Sequence, residues 1–374
     1  MSRPDLIVLR PEGLYCPPGD FWIDPWRPVP RAVITHAHSD HARGGHGACL
    51  AQHDSAALLR TRLGDALPLQ TLAYGERLRL GDVNLSLHPA GHVLGSAQVR
   101  IEHRGQVWVA SGDYFLAGDH PQEADPRPTC APFEPVRCDC FITECTFGLP
   151  VYRWRSRREL MAEVQAWWQA NAAEGRTSLL LGYSLGKAQR LLAGLDEAAG
   201  PIAVHGAVAS INQAYQAAGV RLPATRALET LTKPELRSAL VVAPPSVLGM
   251  GSAWAKRLGD CRDAFASGWM QLRGPRRRQG VDRGFALSDH ADWPGLLRAI
   301  EATGCERVIV THGNEAVLQR WLREQGLRCD VFGTEYGQGE EDRLPTRAAP
   351  AATPGAPATL AGTDTSHDNA TEAA

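Results

Sequence analysis

Short apolar runs punctuated by Gly, Pro and Asp dominate the chain up to about residue 145. Leu6-Ile7-Val8-Leu9, Ala32-Val33-Ile34-Thr35, Asn84-Leu85-Ser86-Leu87, Val107-Trp108-Val109 and Cys140-Phe141-Ile142-Thr143 have strand length and β-branched character, which predicts a strand-rich unit. Ser55 to Leu63 reads as a helix among them. At Ser156 the period changes. Ser156-Arg-Arg-Glu159 has the form of a capping box, and Leu160, Val164 and Trp167/Trp168 follow at helical spacing. A strand from Ser178 to Leu181 leads through Gly182-Tyr-Ser184 into a second helix carrying Leu185, Ala188, Leu191 and Leu192. Val204 and Leu240-Val241-Val242 continue the alternation, which predicts a small α/β layer. After about residue 284 short strands return as Phe285-Ala-Leu287 and Val308-Ile-Val310, each leading to a histidine. From about Gly339 the Ala, Pro, Thr and acidic residues show no period, so the tail is expected to be disordered.

Composition sharpens this picture in three ways. At 374 residues and 44% hydrophobic, the chain can bury a large core and is expected to form two domains. A formal charge of −2 excludes a globally basic nucleic-acid binder, so any polyanion must be held by a local basic patch. Nine cysteines, an odd number, suit reduced buried thiols better than disulfide staples, and Cys138-Asp-Cys140 is too closely spaced for a zinc ribbon. No signal-peptide pattern opens the chain, and no apolar run approaches the ~18 residues a membrane helix needs. A cytoplasmic protein is the expectation.

The chemistry is concentrated in His36-Ala-His-Ser-Asp-His41, directly after an apolar strand. Imidazole and carboxylate groups suit zinc and similar divalent ions, and three histidines with an aspartate in six residues are hard to reconcile with packing alone. On a strand, His36 and His38 share a face, whereas Asp40 and His41 turn away and could serve a second ion. Ala90-Gly-His92-Val-Leu-Gly-Ser96, Ser111-Gly-Asp113-Tyr114 and Thr311-His312-Gly-Asn314 each present another ligand atom at a turn or strand end. Singly, each motif fits a turn role equally well. His46, His53, His88, His103, His120, His205 and His367 lack such settings and are read as structural or solvated.

H-A-H-S-D-H, A-G-H-V-L-G-S, S-G-D-Y and T-H-G-N, in this order, resemble the metallo-β-lactamase superfamily. Thr143-Glu-Cys-Thr-Phe-Gly148, Tyr183-Ser-Leu-Gly-Lys-Ala-Gln189 and Leu287-Ser-Asp-His-Ala-Asp292 are similar to its β-CASP nuclease branch, and the whole chain looks most like the bacterial ligase-associated DNA exonucleases. The resemblance implies an α/β fold, an αββα metallo-β-lactamase sandwich interrupted by an α/β β-CASP-type cap. The expected division is 1–150 and 285–338 for the sandwich, 151–284 for the cap and 339–374 for the tail. It also implies two divalent ions, zinc first and manganese second. His36, His38 and His92 would hold one, and Asp40, His41 and His312 the other, with Asp113 bridging and Asp24 steadying the histidine loop. His290 would act as general acid, oriented by Glu144. Without the resemblance, Glu144 reads equally as a satisfied strand-end carboxylate, and Ser288-Asp289 as a helix N-cap.

Nucleic acid is the implied substrate, DNA ahead of RNA, with an ATP-dependent DNA ligase and a helicase as associated partners and DNA repair as the setting. Ser184 and Lys187, at a helix start, are candidates for holding phosphate. Arg276, Arg277 and Arg278, in the densest basic run, are candidates for backbone contact. Arg153, Arg155, Arg157 and Arg158, interleaved with Tyr152 and Trp154, could add a stacking surface. A small-molecule hydrolase is disfavoured by the roughly 130-residue insertion between Phe147 and Phe285. A non-enzymatic binding module is disfavoured because every expected ligand position is filled. Within the branch, a histidine at 312 is usual in RNA-processing members, which keeps an RNA-processing endo- or exoribonuclease as the alternative.

Overall fold

The computed structural model describes residues 4–116, 127–249, 253–274 and 280–336. Six strands build the first sheet in chain order: β1 (Val8–Arg10), β2 (Gly13–Cys16), β3 (Phe21–Ile23), β4 (Arg31–Ile34), β5 (Ala48–Gln52) and β6 (Leu69–Leu72). The first pairings are antiparallel; from β3 onward they are parallel. Helix α1 (Ala56–Leu63) lies between β5 and β6. The chain then lays down β7 (Arg77–Leu80), β8 (Val83–Pro89), β9 (Ala97–His103), β10 (Gln106–Ala110) and β11 (Cys140–Cys145).

After β11 the polypeptide leaves to form a third sheet. Helix α2 (Arg157–Ala173) is capped by the Ser156 hydroxyl, which accepts the Glu159 N–H. Strands β12 (Thr177–Leu181), β13 (Ile202–Val204), β14 (Arg226–Ala227), β15 (Leu240–Ala243), β16 (Cys261–Ala266) and β17 (Arg283–Phe285) pair in parallel, in the order β14-β13-β15-β12-β16-β17. Helix α3 (Lys187–Ala193) follows β12, and helix α4 (Gly206–Ala217) follows β13. The chain returns as β18 (Arg307–Gly313) and β19 (Arg328–Val331), completing the second sheet in the order β19-β18-β11-β10-β9-β8-β7.

Strand alternation explains how these layers pack, because successive side chains leave opposite faces. Val33 joins Leu14, Phe21 and Ile23 in one core with Leu85, Val99, Ile101, Trp108 and Ile142 of the second sheet. Their neighbours Ala32 and Ile34 face the other way, onto Leu58 and Leu59 of α1 and onto Ile211 and Tyr215 of α4. In the second sheet Val109, Phe141, Val308 and Val310 turn from that core toward Leu296, Ile300, Leu318 and Leu322 on helices Trp293–Thr303 and Glu315–Glu324. Both faces of each sheet are therefore covered, which is why several strands read as continuous apolar runs.

Three local expectations shift. Leu6 and Ile7 are buried but precede β1, and of Phe285 to Leu287 only Phe285 belongs to a strand. Ser55 ends a short 3₁₀ turn, so the helix begins at Ala56. The segment 339–374 lies outside the described residues. Among the described residues, no helix is long and apolar enough to cross a membrane.

Candidate metal centre and acid–base pair

The side chains singled out by the sequence gather at the carboxyl ends of β4, β8, β10, β11 and β18, where open α/β sheets present ligand sites. His36, His38, His92 and Asp113 each offer an atom within 4.8 Å of the others, and so do His41, Asp113 and His312. Asp40 lies beside the second group, its Oδ2 3.6 Å from His41 Nε2. All of these residues are buried. Asp113 stands between them, with Oδ2 3.4 Å from both His36 Nε2 and His41 Nε2 and 3.8 Å from His92 Nε2. Its Oδ1 is 3.6 Å from His312 Nε2.

The outer partner of each imidazole fixes which nitrogen faces inward. Carboxylates and carbonyls only accept, so His41 donates Nδ1–H to Asp24 Oδ2 at 2.8 Å and His92 donates Nδ1–H to the Asp289 carbonyl at 2.8 Å. His38 uses the opposite tautomer: its Nε2 meets the Leu185 carbonyl at 3.4 Å, leaving Nδ1 3.0 Å from His92 Nε2. Thr35 spends its hydroxyl hydrogen on Asp24 Oδ2 at 2.5 Å, so its oxygen accepts from His36 Nδ1 at 3.0 Å. Asp24 Oδ1 also accepts the Thr35 N–H at 2.7 Å. Asp24 therefore holds both ends of the histidine loop, and its backbone has φ +43°, a conformation that side-chain-bearing residues adopt mainly where local structure compels it.

These outer contacts leave His36 Nε2, His41 Nε2 and Asp113 Oδ1 buried without a hydrogen-bond partner. A convergent set of orphaned nitrogen and carboxylate atoms is costly unless something fills it, and the donor set suits divalent cations of the zinc class. The electrostatics agree. Burial, aided by the neighbouring His41, pushes His36 down to about 4. Burial, with His290, His38 and His36 nearby, holds His92 well below its ordinary value. Burial opposes charge on His41 as well, but Asp113 and Asp40 beside it raise it well above its ordinary value. Asp113 is in turn kept well below the carboxylate range by His41 and His36 despite its burial. Burial thus disfavours charge on His36 and His92, whereas the carboxylates beside His41 favour it there.

Close packing shapes the same centre. Gly112 has φ +56°, and a Cβ there would lie 2.7 Å from the Thr35 side chain, so glycine lets Asp113 approach the histidine loop.

Beside the histidines, Glu144 and His290 form a pair. His290 Nδ1 donates to Glu144, 3.0 Å from Oε1 and 2.9 Å from Oε2, so Nε2 is the nitrogen that Glu144 does not engage. Glu144 also accepts from the Tyr114 N–H at 2.8 Å and the Thr146 hydroxyl at 2.6 Å. Asp113, Glu144 and His290 offer atoms within 4.8 Å of one another, which brings the pair to the edge of the histidine cluster. The turn carrying His290 is pinned by the Ser288 hydroxyl, by Trp154 Nε1 donating to the His290 carbonyl and by the Ala291 N–H on the Tyr114 carbonyl. Asp292, rather than Ser288-Asp289, caps the following helix, accepting the Gly295 N–H.

The substrate-holding candidates differ in setting from what was expected of them. Lys187 is buried, its ammonium against the Asp289 carboxylate. The N–H groups at the start of α3 are engaged internally: Gly186 with Gln189 Oε1, Lys187 with the Leu185 carbonyl and Ala188 with the Tyr183 carbonyl. Ser184 is partly exposed and uses its carbonyl to accept from Gln189. Arg276, Arg277 and Arg278 lie outside the described residues. Tyr152 and Trp154 do not form the open stacking surface expected of them; they are buried against Phe147, at 4.8 Å between ring centroids in each case.

Sequence reasoning missed four contributors. Tyr336 stacks on His41 at 4.5 Å, Arg190 donates to the Gly91 and His92 carbonyls, and Thr35 and Asp289 set imidazole tautomers. Thr35 was discoverable as the hydroxyl next to the ligand run. The others depend on distant segments and leave no local signal.

No family model matches the chain. A protein of Opitutus terrae named a probable DNA ligase is 33% identical over 327 residues, covering 87% of this chain and 31% of that protein. A ribonuclease of Thermus thermophilus is 29% identical over 198 residues, 46% of this chain and 44% of its own. The cleavage and polyadenylation specificity factor 73 of Drosophila melanogaster is 26% identical over 195 residues, 44% of this chain and 27% of its own. The chain therefore spans less than half the length of each of these relatives. A solved structure of a protein of unknown function from Enterococcus faecalis is similar in fold, with a TM-score of 0.55 at 13% identity, covering 83% of this chain and 80% of that one. With these similarities joined to the buried histidine–aspartate cluster, the chain belongs to the metallo-β-lactamase superfamily, in its β-CASP nuclease branch.

Proposed function

We propose that this chain is a two-metal-ion phosphodiesterase, a DNA exonuclease of the ligase-associated type that works in DNA repair. The observation that carries the reading is the set of fixed imidazole tautomers converging on Asp113, with the Glu144–His290 pair alongside. In the same reading the first two sheets and their helices form an αββα sandwich over 1–150 and 285–338, and 151–284 forms a β-CASP cap.

His36, His38 and His92 hold one ion, Asp40, His41 and His312 the other, and Asp113 contributes to both. Divalent ions held there, zinc first and manganese second, supply Lewis-acid charge and activate water. The protein's own groups do the rest. Asp24 and Thr35 keep the histidines oriented, Glu144 holds His290 by Nδ1, and His290 delivers a proton from Nε2 to the departing alkoxide of the nucleic acid. A general acid at this position contributes about 10²–10⁴-fold.

DNA is favoured because the match that covers 87% of the chain is to a protein named for a DNA ligase. The same reading takes an ATP-dependent DNA ligase and a helicase as associated partners and the cytoplasm as the setting; of these, the relative's name bears only on a ligase. His312 within the centre and the shorter matches to ribonucleases support RNA as the second reading. Purified protein loaded with zinc or manganese is tested on end-labelled single-stranded DNA, double-stranded DNA and RNA of one sequence. Cleavage of DNA from an end supports the first reading. RNA cut much faster than DNA overturns it in favour of the second.

A further inference from the structure

Next to the acid–base pair, the wall of the site is aromatic. Phe147 follows Glu144 by three residues, and its ring lies 6.1 Å from the His290 ring and 4.7 Å from that of Trp269. Phe147, Tyr152 and Trp154 are buried, whereas Trp269 is only partly covered. A cavity runs along this wall, lined by His290, Thr146, Phe147, Tyr183, Ser267 and Trp269 among others. The candidate acid and the half-buried indole thus border the same small depression.

The loop that carries Trp269 is built to close here. Ser267 caps a short 3₁₀ turn, accepting the Trp269 N–H. Gly268 sits so tightly that a Cβ would lie 2.4 Å from the Phe147 ring and 2.9 Å from Trp154. Glycine at this one position lets the turn press against the aromatic cluster and leave the indole at the cavity.

We propose that Trp269, backed by the buried Phe147, forms a stacking surface for one unpaired nucleobase next to the scissile phosphate; this rests on the nuclease reading above. A flat π-face is what an indole recognises, and every base offers one, so the subsite selects single-stranded or frayed ends over paired interior positions and tolerates any sequence. Stacking at such platforms corresponds to about ten- to a hundredfold in apparent affinity per base.

The test compares two single-stranded oligonucleotides that differ at one position, a normal nucleotide or an abasic tetrahydrofuran residue flanking the cleaved bond. The wild-type metal-loaded protein should favour the normal oligonucleotide in kcat/KM by about tenfold or more, mainly through KM. In Trp269→Ala the preference should collapse toward one, and Trp269→Phe should keep most of it. A wild-type protein indifferent to the abasic residue overturns the proposal. So does a Trp269→Ala variant that cleaves both oligonucleotides more slowly in equal proportion, since a merely structural role lowers both alike. If the wild type cleaves neither oligonucleotide yet hydrolyses bis(p-nitrophenyl) phosphate, the nuclease reading has failed, and the subsite falls with it.

Discussion

Replacing Lys187 by Met isolates one buried charge pair that ties the inserted segment to the histidine centre. The Lys187 and Asp289 side chains are 4% and 7% exposed, so neither charge is solvated once its partner is gone. Burial alone would push the Asp289 carboxyl up, yet Lys187 foremost, then His92, His290 and Arg190, hold it well below the carboxylate range. Removing one partner of a buried pair typically costs about 3–5 kcal/mol, because the other is left uncompensated. Arg190 remains near Asp289, which places the expected loss for Lys187→Met at the lower end, about 3 kcal/mol. Adding Asp289→Leu removes the stranded carboxylate and should recover much of that loss, since apolar replacement of a whole buried pair is often neutral.

Urea unfolding of the wild type, the two single variants and the double variant completes the cycle. A carboxyl whose folded pKa is depressed gives stability that is present above its unfolded value and lost as pH falls below it. The deficit of Lys187→Met should therefore be full at pH 8 and shrink as pH falls through the variant's own Asp289 value, which burial raises once Lys187 is gone, because the stranded carboxylate then takes up a proton. Asp289 also holds His92 through its carbonyl, so zinc affinity, measured by competition with a chromophoric chelator, should fall in the single variant. A Lys187→Met protein within 0.5 kcal/mol of wild type, or a double variant as unstable as the two singles summed, would refute the reasoning.

Asp113→Ala should abolish cleavage and reduce bound metal, measured by elemental analysis; retained activity would sink the assignment of Asp113 to both ions. Glu144→Gln should lower kcat by about tenfold to a hundredfold with metal content unchanged, because His290 keeps a partner but loses a carboxylate, whereas His290→Ala should cost up to about 10⁴-fold. Asp113 and Asp40 favour a proton on His41 in the metal-free protein, whereas burial disfavours one on His36 and His92. Zinc titration by calorimetry at pH 7.5, in buffers of different ionisation enthalpy, should therefore register release of about one proton or more; zero release would contradict the His41 assignment. Gly112→Ala, at φ +56° and in contact with Thr35, should lose about 1–3 kcal/mol of thermal stability and weaken metal binding together, and an unchanged melting curve would show that the turn relaxes.

The sequence showed the candidate ligands better than it showed their supports. His36, His38, Asp40 and His41 stand within six residues at the end of an apolar strand, and His92, Asp113 and His312 carry the same mark of a polar residue after a strand. Strand period and ligand chemistry act over a few residues, so these positions were visible without any pairing information. Glu144 and His290 were readable only through resemblance, because the hydrogen bond that gives them a role spans 146 positions. Lys187 and Asp289 are 102 positions apart, and the same helix start that suggested a phosphate cradle turned out to have its N–H groups engaged internally. A charge on a short helix looks identical in sequence whether it faces solvent or a buried carboxylate. Helices Trp293–Thr303 and Glu315–Glu324 are not among the elements expected from the sequence, although each buries an apolar face against the second sheet.

These supports change what the inserted segment is for. His38 takes its tautomer from the Leu185 carbonyl, and His92 is gripped on both sides: by Asp289, which Lys187 anchors, and by Arg190 on its own carbonyl. Leu185, Lys187 and Arg190 all belong to one short stretch at the start of α3, so two of the imidazoles at the centre depend on residues more than 90 positions away. Two buried cations on a seven-residue helix are expensive to fold unless their contacts serve something beyond stability. The segment between β11 and β17 is therefore better regarded as part of the histidine centre than as a cover laid over it. A change that displaces α3 should disturb the ligand geometry before it disturbs any contact with nucleic acid.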